Sequence, residues 1–264
     1  MRESIPDLKG GKKIDISIRA RMGSSRLPGK VLKEVNGRAM LEIMLERVRR
    51  SEYFDDLVVA TSLESRDDAI VELCKKNAVR YFRGSEDDVL ERVYLAHKEL
   101  SSDIVVSICG DCPLTDPEII DNVILSYLAN EPCDYATNLY PKLYPKGMEL
   151  EVFPFRILEH TEKHGKTPED RECVTHFFRS RPDMFKHIYV AAPPNLTFPD
   201  LTVLLDEEDD LKLISEIIKN LYPKKNHFTC RDIIEFIKLN SSLLELNKNV
   251  KRKIIGNADT ARRI

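Results

Sequence analysis

The chain has 264 residues, of which 42% are hydrophobic and 32% charged, so its composition excludes a disordered or fibrous protein. Its 41 Lys and Arg against 44 Asp and Glu give a net charge of −3, which predicts no broad nucleic-acid surface. No segment approaches the ~18 apolar residues of a membrane span, and residues 1–13 lack the apolar core of a secretory signal. The six cysteines are too scattered for a disulfide scaffold. We therefore expect a cytoplasmic protein with reduced thiols and no membrane partner.

Strand-like and helix-like patterns alternate through the first half of the chain. Residues 14–18 alternate in polarity, as a strand does, and the runs 65–68 and 85–88 resemble capping boxes that open helices. Asp116-Pro117-Glu118 places a cap, a proline and an acid at another helix start. Four β-α units predict a parallel sheet that binds ligands beyond the carboxyl ends of its strands. The predicted strands are 14–18, 57–60, 79–82 and 104–109, and the predicted helices are 38–51, 65–78, 85–100 and a segment from Asp116.

The pattern is looser in the second half. We predict one α/β domain over residues 1–247, a three-layer α/β/α sandwich with a mixed, mainly parallel sheet. Residues 133–200 form a smaller lobe of it, and 248–264 form a polar, basic tail. The predicted strands here are 135–137, 148–153, 187–191 and 201–205, and the predicted helices are 155–165, 168–181, 207–222 and one that Thr229 caps and that ends at Leu239.

The most informative segment is the loop 21–30, RMGSSRLPGK, which directly follows the first strand. Its three cations, Arg21, Arg26 and Lys30, lie among glycines and serines, and such loops bind phosphate through side chains and backbone amides. The loop is not a Walker A motif, because Val31 stands where Ser or Thr should be, and no GxGxxG sequence supports a dinucleotide site. The alternative is a solvated basic surface loop.

Two aspartates follow apolar runs at predicted strand ends. Asp111 comes after 104–109 and Asp206 after 201–205, which predicts that both lie on the ligand side of the sheet. A pair of carboxylates there can hold Mg²⁺ together with substrate phosphates. The alternative is that both are turn or helix-cap residues. Asp209 and Asp210 are expected in a solvated first helical turn.

The run 20–32, ARMGSSRLPGKVL, resembles the signature of the cytidylyltransferase family, which includes the enzymes that activate Kdo and N-acylneuraminate. The resemblance is strongest to the spore-coat polysaccharide biosynthesis protein F branch. It continues through 82–90, 110–114, 144–153 and 205–211. It implies a nucleotide-diphospho-sugar transferase-like fold and a homodimer formed by the smaller lobe. It also implies that CTP and a sugar or sugar acid, with Mg²⁺, yield a CMP-sugar and pyrophosphate for surface polysaccharide synthesis.

The resemblance also assigns roles to residues. It implies catalytic roles for Arg21, Lys30 and Asp111, and Mg²⁺ bound by Asp111 and Asp206. The residues it implies for nucleotide binding are Ala20, Arg21, Gly23, Ser24, Arg26, Lys30, Arg83, Gly84, Ser85 and Asp111.

The acceptor side is less determined. The loop 138–151 carries cations, hydroxyls and two glutamates that share one strand face, although an exposed sheet edge would look the same. Arg19, Cys173 and His176 depart from the family's usual Gln, His and Pro, which leaves the acceptor open. The expected acceptor-binding residues are Tyr144, Gly147, Glu149, Glu151, Arg171 and Glu172.

Two other functions stay open from the sequence. One is a nucleotide-binding protein on the same fold without catalysis. The other is a thiol oxidoreductase, because Cys109 and Cys112 form a CxxC between a strand and a helix. Against the second, the helix is predicted to begin only at Asp116, and the basic loop would have no role.

Overall fold

The computed structural model describes residues 9–252, in which helices cover both faces of a seven-stranded sheet. The strands are β1 (Ile14–Arg19), β2 (Glu34–Val35), β3 (Arg38–Ala39), β4 (Asp56–Ser62), β5 (Arg80–Gly84), β6 (Ile104–Cys109), β7 (Tyr135–Thr137), β8 (Glu151–Pro154) and β9 (His187–Tyr189). The α-helices are α1 (Met40–Val48), α2 (Asp68–Lys76), α3 (Val89–Leu100), α4 (Pro117–Ala129), α5 (Phe155–His164), α6 (Pro168–Glu172), α7 (His176–Arg179), α8 (Glu208–Leu221) and α9 (Cys230–Leu239).

The sheet is mixed and mainly parallel, as predicted. Its strand order is β5-β4-β1-β6-β8-β7-β9, and β2 and β3 form a separate hairpin-like pair. The first four strands in that order are parallel, β8 is antiparallel to both of its neighbours, and β9 is parallel to β7. Within residues 9–252, no helix is long and apolar enough to cross a bilayer.

The alternation of side chains along β1 gives the sheet two different faces. The isoleucines of β1 point to the face covered by α1, α4, α8 and α9, whereas Asp15, Ser17 and Arg19 point to the face covered by α3, α5 and α7. Arg19 is the neighbour of Cys109 across β1 and β6, and Glu151 of β8 is the neighbour of Ser107. Arg19, Cys109 and Glu151 therefore share the second face, at the edge where β1 and β6 end.

Of the three helix starts expected in this half of the chain, the one at Asp116 agrees with the sequence, whereas α3 begins at Val89, four residues after the expected start at Ser85. Asp116 caps α4 by accepting from two backbone amides, and Asp88 caps α3 through the amide of Glu91. The capping box expected at 65–68 is wrong, because a 3₁₀ turn precedes α2 and the Asp67 side chain does not cap it. Asp67 instead accepts hydrogen bonds from other segments, as described below.

Further corrections concern the second half. The predicted strand 201–205 is an extended segment that forms only an isolated bridge, between Thr202 and Lys146. The predicted helix 168–181 is two short helices, α6 and α7, interrupted because Cys173 is extended. β8 is shorter than 148–153. Most of the predicted tail, residues 253–264, lies outside the described residues, and so do residues 1–8 at the amino end. Within the tail, Arg252 forms an ion pair with Asp210.

Candidate active site

The basic loop closes on the backbone carbonyl of Met22. That oxygen accepts from the amide of Ser24 at 2.9 Å and from the amide of Gly29 at 3.0 Å, so it joins the two ends of the loop. Gly29 has a φ of +68°, a left-handed conformation in which a side chain would be strained. The loop is also tied to the sheet, since the amide of Ala20 donates to the carbonyl of Ala60. These local bonds explain why the segment forms a turn at the end of β1.

A buried carboxylate holds the loop from below. Asp67 accepts from the amide of Met22 at 2.7 Å, the amide of Ser62 at 3.1 Å and the hydroxyl of Thr61 at 3.1 Å. Burial opposes ionisation of Asp67, but the hydroxyl of Ser62, together with these donors, outweighs it and lowers the pKa of the carboxyl. Asp67 therefore couples the loop to the end of β4. Sequence reasoning placed Asp67 inside the expected capping box 65–68 and did not identify this role.

Lys30 lies between the two predicted metal ligands. Its Nζ is 2.9 Å from Asp111 Oδ2 and 2.9 Å from Asp206 Oδ1, and Arg26 Nη2 is 2.9 Å from Asp206 Oδ2. Burial opposes the charge of Lys30, but the two carboxylates outweigh it and raise its pKa. Burial likewise opposes ionisation of Asp206, but Lys30 and Arg26 lower its pKa. We call Arg26, Lys30, Asp111 and Asp206 the phosphate site.

The backbone brings the two aspartates together. The amide of Leu205 donates to the carbonyl of Asp111 at 2.8 Å, so the segment before Asp206 runs beside the loop after β6. Gly110 makes this loop possible: its amide bonds to the carbonyl of Arg19, and a Cβ there would lie 2.6 Å from the same oxygen. The apolar run 201–205 thus serves as a support for the site rather than as a strand.

Asp210 positions Asp206. Its Oδ2 accepts from the amides of Asp206 and Glu207 at 3.0 and 2.9 Å, and Arg252 forms two bonds to the same carboxylate at 2.7 and 2.6 Å. Asp210 is fully buried, so the expectation of a solvated residue is wrong for it. The spacing of a capping box, with Asp210 three residues after Glu207, was the signal in the sequence.

Arg21, Gly23 and Ser24 form the outer part of the loop. Arg21 is half-exposed, with Nη1 3.7 Å from Glu86 Oε1, and it keeps donors free for a ligand. Glu86 also packs over Gly23, where a Cβ would lie 2.5 Å from Glu86 Oε1. The hydroxyl of Ser24 accepts weakly from the amide of Leu27 at 3.5 Å. If these three residues bind the nucleotide, as predicted, they do so on the solvent-accessible side of the loop.

The segment 83–85 makes mostly internal contacts. Arg83 donates to the carbonyls of Ser62 and Glu64, both at 2.9 Å, and pairs with Asp68 at 2.6 Å, so it braces the β4–α2 connection. Gly84 contacts the side chain of Arg92, which would lie 3.0 Å from an added Cβ. The Ser85 hydroxyl accepts from the amide of Asp88. Direct contact of these three residues with a nucleotide stays a prediction.

Glu149, in the loop 138–151, lies close enough to the phosphate site to feel the charge of Asp111. Its Oε2 accepts from the amide of Gly147, and burial, together with the charge of Asp111, raises the pKa of its carboxyl. Gly147 has a φ of +102° and approaches the backbone of Leu204 too closely for a Cβ. Tyr144, in the same loop, is buried in the core.

Glu151 lies inside the sheet, so the alternative of an exposed sheet edge is wrong for it. It is buried, and its Oε1 accepts from the hydroxyls of Tyr135 at 2.6 Å and Thr175 at 2.7 Å. The same oxygen is 3.6 Å from Arg179 Nη1. Sequence reasoning did not single out Arg179, which α7 brings to the site from a lobe with loose patterning.

Arg171 and Glu172 lie on α6. Arg171 pairs with Asp88 at 2.5 Å and with Glu162 at 2.9 Å, and it thereby ties α6 to α3 and α5. Glu172 is the exposed last residue of α6. Arg171 therefore has a structural role in this state of the protein, and its predicted contact with an acceptor would require it to release these partners.

A second cluster of charge lies at the ends of β1 and β6. Arg19 Nη2 donates to Cys109 Sγ at 2.7 Å, and Arg179 Nη2 lies 3.7 Å from Cys173 Sγ. With Glu151, these residues form what we call the arginine site: Arg19, Cys109, Glu151, Cys173 and Arg179. Arg19 and Cys173, two of the residues that differ from the usual family pattern, therefore lie in the same cluster.

The pair Cys109 and Cys112 does not have the properties of a redox site. Desolvation by nearby protein atoms raises the pKa of Cys109, whose side chain reaches the surface, to about 11, and burial raises the pKa of Cys112 well above its ordinary value. Catalytic dithiols need the opposite shift. α4 also begins only at Pro117, so its dipole does not stabilise a thiolate at Cys112.

Comparison with known proteins identifies relatives over most of the chain. A family model described as cytidylyltransferase matches residues 16–196. Spore coat polysaccharide biosynthesis protein SpsF of Bacillus subtilis is 33% identical over 212 residues, 78% of this chain and 85% of that protein. A 3-deoxy-manno-octulosonate cytidylyltransferase of Chlamydia trachomatis is 27% identical over 221 residues, 80% of this chain and 84% of that protein.

The fold has a solved counterpart. A cytidylyltransferase from Leptospira borgpetersenii superposes with a TM-score of 0.83 at 32% sequence identity, and the match covers 92% of this chain and all of that one. The sheet order and the helices on both faces are therefore a known arrangement of nucleotidyltransferases.

Proposed function

This chain belongs to the cytidylyltransferase family, in the branch that includes SpsF, and we propose that it transfers the cytidylyl group of CTP to a hydroxyl of a sugar or sugar acid. The observation that carries the proposal is the contact of Lys30 with both Asp111 and Asp206, beside Arg26. Cations and paired carboxylates at one sheet edge suit a polyphosphate and a divalent metal. The acids that relatives use support a sugar-acid acceptor.

The proposed reaction is an in-line displacement at the α-phosphorus. The acceptor oxygen forms a bond to phosphorus, the bond from phosphorus to the bridging oxygen breaks, and pyrophosphate leaves with that electron pair while the hydroxyl proton is released. Arg21, Arg26 and Lys30 would offset the negative charge on the leaving pyrophosphate. Asp67 and Asp210 would keep the loop and Asp206 in place, so that little reorganisation is needed during the reaction.

The residues present fit Mg²⁺. Asp111 and Asp206 already share one cation, the Lys30 ammonium, at 2.9 Å each. Across residues 9–252, no cluster of three or more His, Cys, Asp or Glu side chains forms a complete metal site. That agrees with Mg²⁺ held by one or two carboxylates and completed by substrate phosphates. When bound, Mg²⁺ would neutralise phosphate charge.

The cellular setting follows from the same relatives. We propose that the CMP-sugar serves surface polysaccharide synthesis, as the name of SpsF suggests for that protein. We propose that the protein works in the cytoplasm, where its six cysteines, which are free thiols, would stay reduced. From the family resemblance we also propose a homodimer, which the mass of the protein in analytical ultracentrifugation tests.

Pyrophosphate release tests the activity. The purified chain is incubated with each nucleoside triphosphate, Mg²⁺ and a panel of sugars and sugar acids. We expect release that depends on CTP and on an acceptor, and that Asp111→Ala abolishes. Asp209→Asn is the matched control, because Asp209 is half-exposed and forms an ion pair with Lys212 on the surface. Tight CTP binding without turnover on any acceptor would instead support the non-catalytic nucleotide-binding protein.

A further inference from the structure

Two histidines lie one turn apart at the carboxyl end of α5. His160 and His164 are four residues apart, so the helix places both on one side. Their ring centroids are 4.2 Å apart, and the ring planes differ by 31°. His164 is the exposed last residue of the helix, and His160 is half-buried. The pair therefore presents two imidazoles at the surface, and neither residue belongs to the phosphate site or the arginine site.

The hydrogen bond of His164 fixes its tautomer. Its Nδ1 lies 2.8 Å from the carbonyl oxygen of His160. A carbonyl oxygen only accepts, so in the neutral ring Nδ1 carries the proton and Nε2 presents a lone pair. A histidine that binds a metal ion commonly donates its other ring nitrogen to a backbone carbonyl in this way, which orients the ring and raises its basicity. His164 is thus held in the form that binds a metal ion through Nε2.

Packing holds the ring of His160. It contacts the rings of Phe177 and Phe185, whose centroids are 5.8 and 6.0 Å away. Burial lowers the pKa of His160, and the charges of His164 and Lys163 lower it further, so the uncharged, metal-binding form prevails at neutral pH. In the part of the chain that the structure describes, no protein group forms a hydrogen bond with the ring nitrogens of His160 or with Nε2 of His164.

The spacing of the two rings suits one metal ion. In tetrahedral Zn²⁺ sites, two ligating nitrogens lie roughly 3.4 Å apart, because each Zn–N bond is about 2.0–2.1 Å long. Rings with centroids 4.2 Å apart reach that separation through small rotations of the side chains. The dipole of α5 favours positive charge at this end of the helix, and the like charge of Lys163 is partly offset by Glu159, 4.0 Å away. Imidazole nitrogens prefer Zn²⁺, Ni²⁺ and Cu²⁺, whereas Mg²⁺ prefers oxygen ligands.

We propose that His160 and His164 form a binding site for a divalent transition metal of the Zn²⁺ class, separate from the Mg²⁺ expected at the phosphate site. Among the described residues, no further His, Cys, Asp or Glu side chain makes the pair into a group of three, so the other coordination positions are left to water. A metal ion held across the last turn of α5 ties the end of this helix and stabilises the folded protein. The inference is independent of the proposed function.

Zinc titration of the untagged chain tests the site. Calorimetry should show a Zn²⁺ binding step that excess Mg²⁺ does not remove. His160→Ala and His164→Ala should each weaken this step about 10- to 100-fold, because the second imidazole of a chelate binds at a high effective concentration. His227→Ala is the matched control, because His227 is exposed and has no histidine one helical turn away. The absence of this step, or a step that either His160→Ala or His164→Ala leaves unchanged, would overturn the proposal.

Spectroscopy identifies the ligands directly. Cu²⁺ bound at the site should couple to two imidazole nitrogens in electron paramagnetic resonance, and to fewer in His164→Ala, which alters only an exposed helix end. Zn²⁺ should raise the Tm of the unaltered chain but not that of His164→Ala. Without Zn²⁺, the CTP-dependent turnover of this variant should equal that of the unaltered chain. Coupling to a single nitrogen in the unaltered chain would contradict the proposal, whereas an absence of turnover in both proteins would count only against the proposed function.

Discussion

The phosphate site and the arginine site lie at the same edge of the sheet but differ in charge balance. In the phosphate site, Arg26 and Lys30 face Asp111 and Asp206, so two cations meet two anions at contacts of 2.9 Å. In the arginine site, two guanidiniums share one carboxylate. A balanced site is organised without a ligand and must exchange partners to bind one, whereas an unbalanced site keeps a net charge of its own.

The two sites also differ in how they are held. Backbone amides and buried carboxylates fix the phosphate site, through Asp67 below the loop and Asp210 beside Asp206. The arginine site is held by side chains from separate elements, with Glu151 on β8 and Arg179 on α7. We therefore expect substitutions in the first site to affect turnover, and those in the second to affect the choice of acceptor.

Lys30→Met should have the largest effect, because it breaks the balance of the phosphate site. We expect kcat/KM to fall ~10²- to 10³-fold, since the charge on the leaving pyrophosphate loses a positioned cation. Without CTP, however, Mn²⁺ should bind more tightly than to the unaltered protein, because no ammonium competes for Asp111 and Asp206. Kinetics and metal titration measure both. The exposed Lys33→Met is the control, and weaker Mn²⁺ binding by Lys30→Met would contradict the balance described here.

Asp67→Asn tests whether the loop is held by a buried anion. The amide group keeps the shape but loses charge and places donors where acceptors are needed. We expect the free energy of unfolding to fall by about 1–3 kcal/mol and CTP to bind more weakly, while the acceptor preference is unchanged. Chemical denaturation and CTP calorimetry provide the measurement. The exposed Asp87→Asn should change neither quantity, and equal effects of the two variants would remove the special role of Asp67.

His97 separates acid effects on the fold from those on the sites. It is fully buried, with Nδ1 2.9 Å from the Ser102 hydroxyl, and burial, aided by the charge of Lys13, lowers its pKa to about 3. Because the pKa of His97 is lower in the folded protein than in the unfolded chain, the unfolded chain takes up a proton on this histidine at a higher pH. Stability is then full above about pH 6.5 and is lost as the pH falls toward 3.

The free energy of unfolding should be about 2 kcal/mol lower at pH 5 than at pH 7 because of His97. His97→Gln should remove this part of the pH dependence. Urea unfolding at both pH values measures it. Asp206, whose pKa is lowered, stays ionised over this range. A loss of stability between pH 7 and pH 5 that is equally large in His97→Gln would contradict the assignment.

Asp210→Asn should have the smallest effect, because Asp210 acts through Asp206. We expect the Mg²⁺ concentration for half-maximal activity to rise about tenfold, as is typical when a partner of a metal ligand is lost. The affinity for the acceptor should not change. Arg252→Gln should move the Mg²⁺ dependence in the same direction, and Asp209→Asn should not move it. A changed acceptor KM in Asp210→Asn would mean that the two sites are coupled.

Local patterns in the sequence predicted the elements that depend on neighbouring residues. β1, β6 and α4 follow from alternation, an apolar run and the Asp116-Pro117 cap, which act within a few residues. The segment 201–205 was not predictable in this way. It is apolar because it is buried, but its backbone bonds run to Lys146 and Asp111 in loops, so it does not continue the sheet.

The sequence by itself determined the parallel sheet, the basic loop at the end of its first strand and the two acidic residues that belong with it. Only the tertiary structure decided which charges balance. Asp67 and Arg179 carry no local signal for their roles, because each acts on a segment far along the chain. Periodicity reports which side of an element is buried, whereas the net charge of a cleft depends on which strand ends and helices meet there.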